Sequence, residues 1–190
     1  NFPLAIFKLS ERYFLQAEAA LRWNIGGSLT SNYLKGVAAM FDAYNIAQTS
    51  DEFKAYWAQG EADTSIDYVD PYDSYNNIKG LVTVGVKINN SDDNKTKLEK
   101  IITQKWIANF PLGVEAWSEF RRTGYPHLIP VVENKSGGAI NSDQMIRRLW
   151  YPPIEYTENL SNINSAIGML GGPDNGGTKL WWDKKSGTNP

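Results

Sequence analysis

Two adjacent arginines before Thr-Gly, in EAWSEFRRTGYP at residues 115–126, have the types and spacing of an anion site. Anions, however, settle at helix N-termini, where amides are unpaired and the dipole is positive. Arg121 and Arg122 fall in the last turn of a helical pattern. Gly124 takes the left-handed position after that turn, Tyr125 follows over Phe120 as in a Schellman stop, and Pro126 forbids continuation. Cations in a last turn are favoured by about 0.3–1 kcal/mol each. Trp117 and Arg121 have the i,i+4 spacing for cation–π contact, and Glu119 and Arg122 the i,i+3 spacing of an ion pair. The stretch reads as the end of a helix.

The other candidates for chemistry are weaker. GPDNGGTK at 172–179 approaches the phosphate-loop pattern, but Thr178 and Lys179 stand in inverted order, and LWWD follows where a helix N-terminus is needed. An ordinary glycine turn is the better reading. His127 is the single histidine and there are no cysteines, so imidazole chemistry would rest on one residue, with no G-x-S-x-G elbow beside it. Paired carboxylates for glycoside hydrolysis could be drawn from Asp70, Asp73, Glu155 or Glu158, yet sequence does not fix the separation that such chemistry requires. Asp92 and Asp93 in SDDN lack the Gly and terminal Glu of a calcium loop and fit a helix cap. No metal site, cofactor or catalytic residue is assigned.

Recognition has a better candidate. DTSIDYVDPYDSYNN interleaves Tyr68, Tyr72 and Tyr75 with Asp67, Asp70 and Asp73 around Pro71, without helical or strand period. Aromatic faces stack on sugar rings while neighbouring carboxylates accept hydroxyl hydrogen bonds. Trp57 closely precedes the loop, and a shallow ligand site of Trp57, Tyr72, Tyr75 and Asp73 is expected; the alternative packs the tyrosines onto the helices below. Seven Trp and ten Tyr in 190 residues exceed what a core of this size needs, so some aromatics belong at the surface. Trp181 and Trp182, with Leu149, Trp150 and Tyr151, are expected to be packed.

The elements that must position these residues are mostly helical. Tyr13, Phe14, Ala17, Ala20 and Leu21 share one helical face, with Ser10 as N-cap and Gly26-Gly27 as stop; small Ala17 and Ala20 invite close approach. Tyr33, Val37, Met40, Phe41 and Tyr44 form a second face, giving an antiparallel hairpin of the length of one tetratricopeptide-type unit. A short helix follows, capped by Ser50, carrying Phe53, Tyr56 and Trp57, and ended by Gly60. LVTVGVKI at 81–88 reads as a strand or a buried extended segment. The next helix, KLEKIITQKWIANF, has a face of Leu98, Ile101, Ile102, Lys105 and Trp106, widened by Ile107 and Phe110. Beyond residue 126 only one more helix is expected, near 161–169.

The fold class is therefore mainly α: tetratricopeptide-like helical hairpins with a long, irregular, loop-rich C-terminal part. One domain over 1–190 is expected, 1–125 a helical scaffold and 126–190 an irregular packed segment. A formal charge of −2 gives no field for nucleic acid. No run approaches the roughly 20 apolar residues of a membrane span. The start at Asn1, with no signal peptide visible, has the pattern of a processed or truncated product.

ERYFLQAEAALRW, KLEKIITQKWIANFPLGVEAWSEFRRTGYPHL, RRLWYPPIEYTENLSNINSAI and KLWWD, in that order, resemble the C-terminal portion of SusD/RagB-type proteins, in the SusD-like branch. Residues matching that pattern include Gln104, Lys105, Trp106, Glu115, Trp117, Arg121, Arg122, Gly124, Pro126, Arg148, Tyr151, Pro152, Glu155, Asn159 and Trp182. The resemblance implies a cell-surface nutrient-binding lipoprotein of the outer membrane, which captures oligosaccharides or other nutrients without catalysis and works with a SusC-like TonB-dependent transporter. It also implies a chain more than twice as long, with its lipid anchor on an N-terminal part outside this sequence. The pattern marks scaffold rather than ligand contacts, which vary among members. Two other readings remain: a glycoside hydrolase using paired carboxylates, and a purely structural helical interaction module.

Overall fold

A computed structural model describes residues 5–59, 67–142 and 145–183. The chain forms two compact units, Asn1–Leu128 and Ile129–Pro190. The first holds α1 (Leu9–Trp23), α2 (Leu29–Asp42), α3 (Asp51–Ala58), α4 (Asn94–Ala108) and α5 (Gly113–Thr123). The second holds α6 (Pro153–Glu158) and α7 (Leu160–Leu170). No strand occurs among the described residues. The mainly helical fold expected from the sequence is the fold observed.

In the first unit the hairpin of α1 and α2 closes where the chain is smallest. Phe14 and Ala17 are fully buried against Tyr33 and Val37, and a Cβ on Gly36 would stand 2.7–2.9 Å from the Phe14 ring. The helix ends differ from expectation. Ser10 is buried inside α1 rather than capping it, and Lys8 is the N-cap residue. The Lys8 ammonium, donating to the Ala108 carbonyl at 2.8 Å, anchors that end by tertiary contact in place of a side-chain cap. Asn24, with φ 55°, ends α1 before Gly26-Gly27 is reached. Tyr44 lies beyond α2 and is exposed, not part of its apolar face.

Ser50 caps α3 as expected, accepting the Phe53 amide at 3.2 Å; Gly60 lies outside the described residues. Residues 81–88 form no strand. They are an extended segment pinned at Val86, whose amide donates to the Gln59 carbonyl at 2.8 Å and whose carbonyl accepts the Tyr33 hydroxyl, and at Lys87, whose carbonyl accepts the Lys100 ammonium at 2.8 Å. Val86 and Ile88 are buried. Asp93 caps α4 through the Thr96 amide at 2.7 Å, and Asp92 takes the Asn89 amide and the Lys100 ammonium at 2.8 and 2.7 Å. Both aspartates therefore shape a helix start. Ile101 and Ile102 fill the core, whereas Ile107 and Phe110 are exposed and do not widen the buried face. Lys105 is buried because Glu11 and Glu119 meet its ammonium.

In the second unit order comes from polar contacts. The Arg147 amide donates to the Gly176 carbonyl at 2.7 Å, and the Asn175 carboxamide oxygen accepts the Gly177 and Thr178 amides at 2.9 and 3.1 Å. A Cβ on Gly177 would stand 2.2 Å from the Ala139 carbonyl oxygen. GPDNGGTK is thus a packed glycine turn, and a turn, not a helix, follows it. Arg147 and Arg148 are buried. Leu149, Trp150, Trp181 and Trp182 are exposed, contrary to the expected packing, because hydrogen bonds rather than buried indoles hold this segment.

Candidate functional site

The residues of the EAWSEFRRTGYP and ITQKW stretches converge on a network of charges. Arg122 presents both terminal nitrogens to the Glu18 carboxylate, at 2.7 and 2.6 Å, and also reaches Glu119 at 2.7 Å. Arg22 completes the Glu18 shell at 2.7 Å. The Lys105 ammonium lies 2.9 Å from Glu119 and 3.6 Å from Glu11. Three acids and three bases thus close α1, α4 and α5 onto one another with no net charge. Burial opposes ionisation of Glu18, but Arg122 and Arg22 outweigh it and hold the carboxyl below its ordinary value. The same contacts raise the Arg122 guanidinium further.

The helix stop is built as its sequence indicates, with one difference. Gly124 has φ 86°, and its amide donates to Phe120 at 2.7 Å. The Tyr125 amide turns to the Thr123 hydroxyl at 3.2 Å, so the motif is the simpler left-handed stop, not a Schellman pair. Arg121 lies 4.4 Å over the Trp117 ring. Gln104 accepts the Tyr56 hydroxyl at 2.7 Å. His127 stands edge-on to Tyr125, its Nε2 3.7 Å from the buried Glu99 carboxylate. Desolvation raises the Glu99 carboxyl above its ordinary value. These residues hold a scaffold together.

Over residues 67–77 the tyrosine–aspartate loop is turned outward; its residues 63–66 lie outside the described residues. Tyr68 and Ile78 exchange both backbone hydrogen bonds, at 2.9 and 3.0 Å, closing it with a single antiparallel bridge. Asp70 accepts the Tyr72 and Asp73 amides at 2.8 and 2.9 Å and the Tyr68 hydroxyl at 3.1 Å. The Asp73 and Tyr72 amides lower the Asp70 carboxyl, against desolvation. Asp73 caps the 3-10 turn Ser74–Asn76 through the Tyr75 amide at 2.9 Å. The aspartates therefore shape the loop, and the rings project: Tyr72 is 97% exposed and Tyr75 78%. Trp57 is half-buried at the edge of the helical core, its ring stacked on Phe53 and 6.2 Å from Tyr33. No described contact joins it to Tyr72, Tyr75 or Asp73.

A second cluster was not legible in advance. Asp174 accepts hydrogen bonds from the Arg148 guanidinium, the Tyr156 hydroxyl and the Tyr151 amide, the last at 3.1 and 3.3 Å. The pattern residues Arg148 and Tyr151 are in the sequence, but nothing there places Asp174 beside them. Glu155 accepts from Asn159 at 2.9 Å, an i,i+4 contact of α6.

The family model described as Susd and RagB outer membrane lipoprotein matches residues 1–183. Among solved structures, a chitin-binding SusD homologue from Flavobacterium johnsoniae is 43% identical with a TM-score of 0.83, matching 94% of this chain and 36% of its own. A SusD homologue from Bacteroides uniformis is 40% identical with a TM-score of 0.80, over 93% and 36% of the two chains. A SusD-like protein from Bacteroides thetaiotaomicron is 34% identical with a TM-score of 0.85, over 100% and 39%. This chain thus spans well under half the length of each. No match is found among curated proteins. Among the described residues no helix is long and apolar enough to cross a membrane. By its sequence over 1–183 and by its fold, the chain belongs to the SusD-like family.

Proposed function

We propose that this chain is part of a non-enzymatic, cell-surface glycan-binding protein, anchored to the outer membrane by lipid on another part of the protein. It captures oligosaccharides and passes them to a SusC-like TonB-dependent transporter. The family description as an outer membrane lipoprotein and the similarity to a chitin-binding homologue support this reading. The observation that carries the site is the braced loop that holds Tyr72 and Tyr75 in solvent. Ordered, exposed rings lose little freedom when a sugar stacks on them. The proposed contacts are Tyr72, Tyr75 and Asp73, with Trp57 at the edge of the core.

Calorimetric titration with a panel of neutral oligosaccharides tests the site. Stacked rings contribute about 0.5–1.5 kcal/mol each beyond their burial, so the Tyr72→Ala/Tyr75→Ala variant should bind at least tenfold more weakly at an unchanged melting temperature. Unchanged affinity sinks the site. Reducing ends released from the panel, and lost on replacing one carboxylate, would favour the hydrolase reading instead. Co-purification of the full-length protein with a transporter barrel tests the partnership.

A further inference from the structure

We propose that the second unit carries a separate binding site for neutral pyranosides, on the aromatic shelf of Trp150, Tyr151 and Tyr156 beside Asp174; the proposal rests on the glycan-binding reading above. These residues, with Pro153, line an open cavity of about 410 Å³. Trp150 is 60% exposed although the preceding Arg147 and Arg148 are buried. The chain is therefore anchored immediately before a large ring that it leaves in solvent. An exposed indole beside a proline and two phenol rings offers an apolar face of sugar-ring size.

The polar floor of the cavity selects among ligands. The Asp174 side chain is 5% exposed and its carboxylate receives three donor groups, Arg148, the Tyr151 amide and the Tyr156 hydroxyl. A carboxylate offers about four acceptor positions, and because the Tyr151 amide reaches both oxygens all four are engaged, so Asp174 fixes the shelf rather than meeting the ligand itself. Because the Tyr156 hydroxyl donates to Asp174, its oxygen is left to accept. Burial opposes ionisation of Asp174, but Tyr156 and Arg148 outweigh it and lower the carboxyl, so it stays the acceptor of these bonds at neutral pH and keeps the Tyr156 hydroxyl turned toward it. The Tyr156 oxygen, an acceptor on an aromatic shelf, matches a hydroxyl donor of a sugar. The cation nearest the floor, Arg148, is buried, bound to Asp174 and 4.9 Å over the Tyr151 ring. With no lysine or arginine lining the cavity, a neutral sugar fits and an anionic one does not.

Chitohexaose and maltoheptaose serve as probes, with indole N–H resonances of the full-length protein as the readout. Trp150→Phe identifies the Trp150 resonance by its loss. That resonance should shift on titration with at least one probe in the parent chain, and also in Tyr72→Ala/Tyr75→Ala. Trp150→Ala should weaken binding at this site at least tenfold with an unchanged melting temperature. Tyr156→Phe, which keeps the ring, should weaken it less. If the loop variant loses affinity while the Trp150 resonance stays still, the second site is overturned and the loop site stands. If Trp150 shifts and the loop variant binds normally, the reverse holds. No binding of either probe overturns both.

Discussion

Lys105 shows why the family-pattern residues of α4 and α5 are scaffold. Its side chain is 3% exposed, and an ammonium taken from water is costly unless its partners are in place. Glu119 and Glu11 supply them from α5 and α1, and Glu119 is itself tied to Arg122. Replacing Lys105 with Met keeps the volume but leaves Glu11, 5% exposed at its side chain, without its counter-charge. Removing one partner of a buried pair costs about 3–5 kcal/mol. Lys105→Met should therefore lower the melting temperature by roughly 10 °C, and sugar affinity should be unchanged. A shift within 2 °C in a melting scan would show that the network adds no stability over an apolar isostere.

At the scale of elements, the hairpin of α1 and α2 turns on Gly36. Alanine there gains about 1 kcal/mol of helix propensity, but its Cβ would meet the Phe14 ring at 2.7–2.9 Å. Overpacking of that kind costs about 1–3 kcal/mol, so Gly36→Ala should be net destabilising. Phe14→Leu in the Gly36→Ala background should recover part of the loss, and a double-mutant cycle measures the coupling. Additive effects would mean that the two residues do not clash. Gly36 also marks what the sequence makes legible. The i+3 and i+4 spacing of Phe14 and Ala17, of Tyr33, Val37 and Met40, and of Leu98, Ile101 and Ile102 reveals the helices and their inner faces, because burial imposes that period. The small-residue contact could be anticipated at Ala17 but not at Gly36, since the facing ring comes from another helix. Lys105 could be placed on the inner face, but its reason for being there lies in Glu11 and Glu119, distant in sequence. The tyrosine loop stands out by composition, whereas Asp174 and exposed Trp150 do not, because hydrogen bonds across 18 to 26 residues leave no period to read.

Over the whole molecule, ionisation links both units to pH. Glu18 and Asp92 in the first unit and Asp174 in the second are held below their ordinary values, in each case by cationic or hydrogen-bonding partners that outweigh desolvation. A carboxyl lowered by folding contributes stability that is fully present above its unfolded value and is lost as pH falls through its folded value. Those values begin near pH 4 for ordinary carboxylates, so stability in both units should fall below about pH 4. Glu99 has the opposite sign: burial raises its carboxyl, so its protonation as pH falls from neutrality relieves a charge that the fold disfavours. The melting temperature should therefore hold or rise slightly from pH 7 to about pH 5 and then drop steeply. Glu99→Gln should raise the value at pH 7 and flatten the upper part of the curve. Glu18→Gln should lower the value at pH 7, because it removes the charge that Arg22 and Arg122 share, and should make the acid limb shallower. A parent curve that keeps rising below pH 4, or an acid limb that Glu18→Gln leaves unchanged, would show that these carboxylates do not govern the acid stability of the chain.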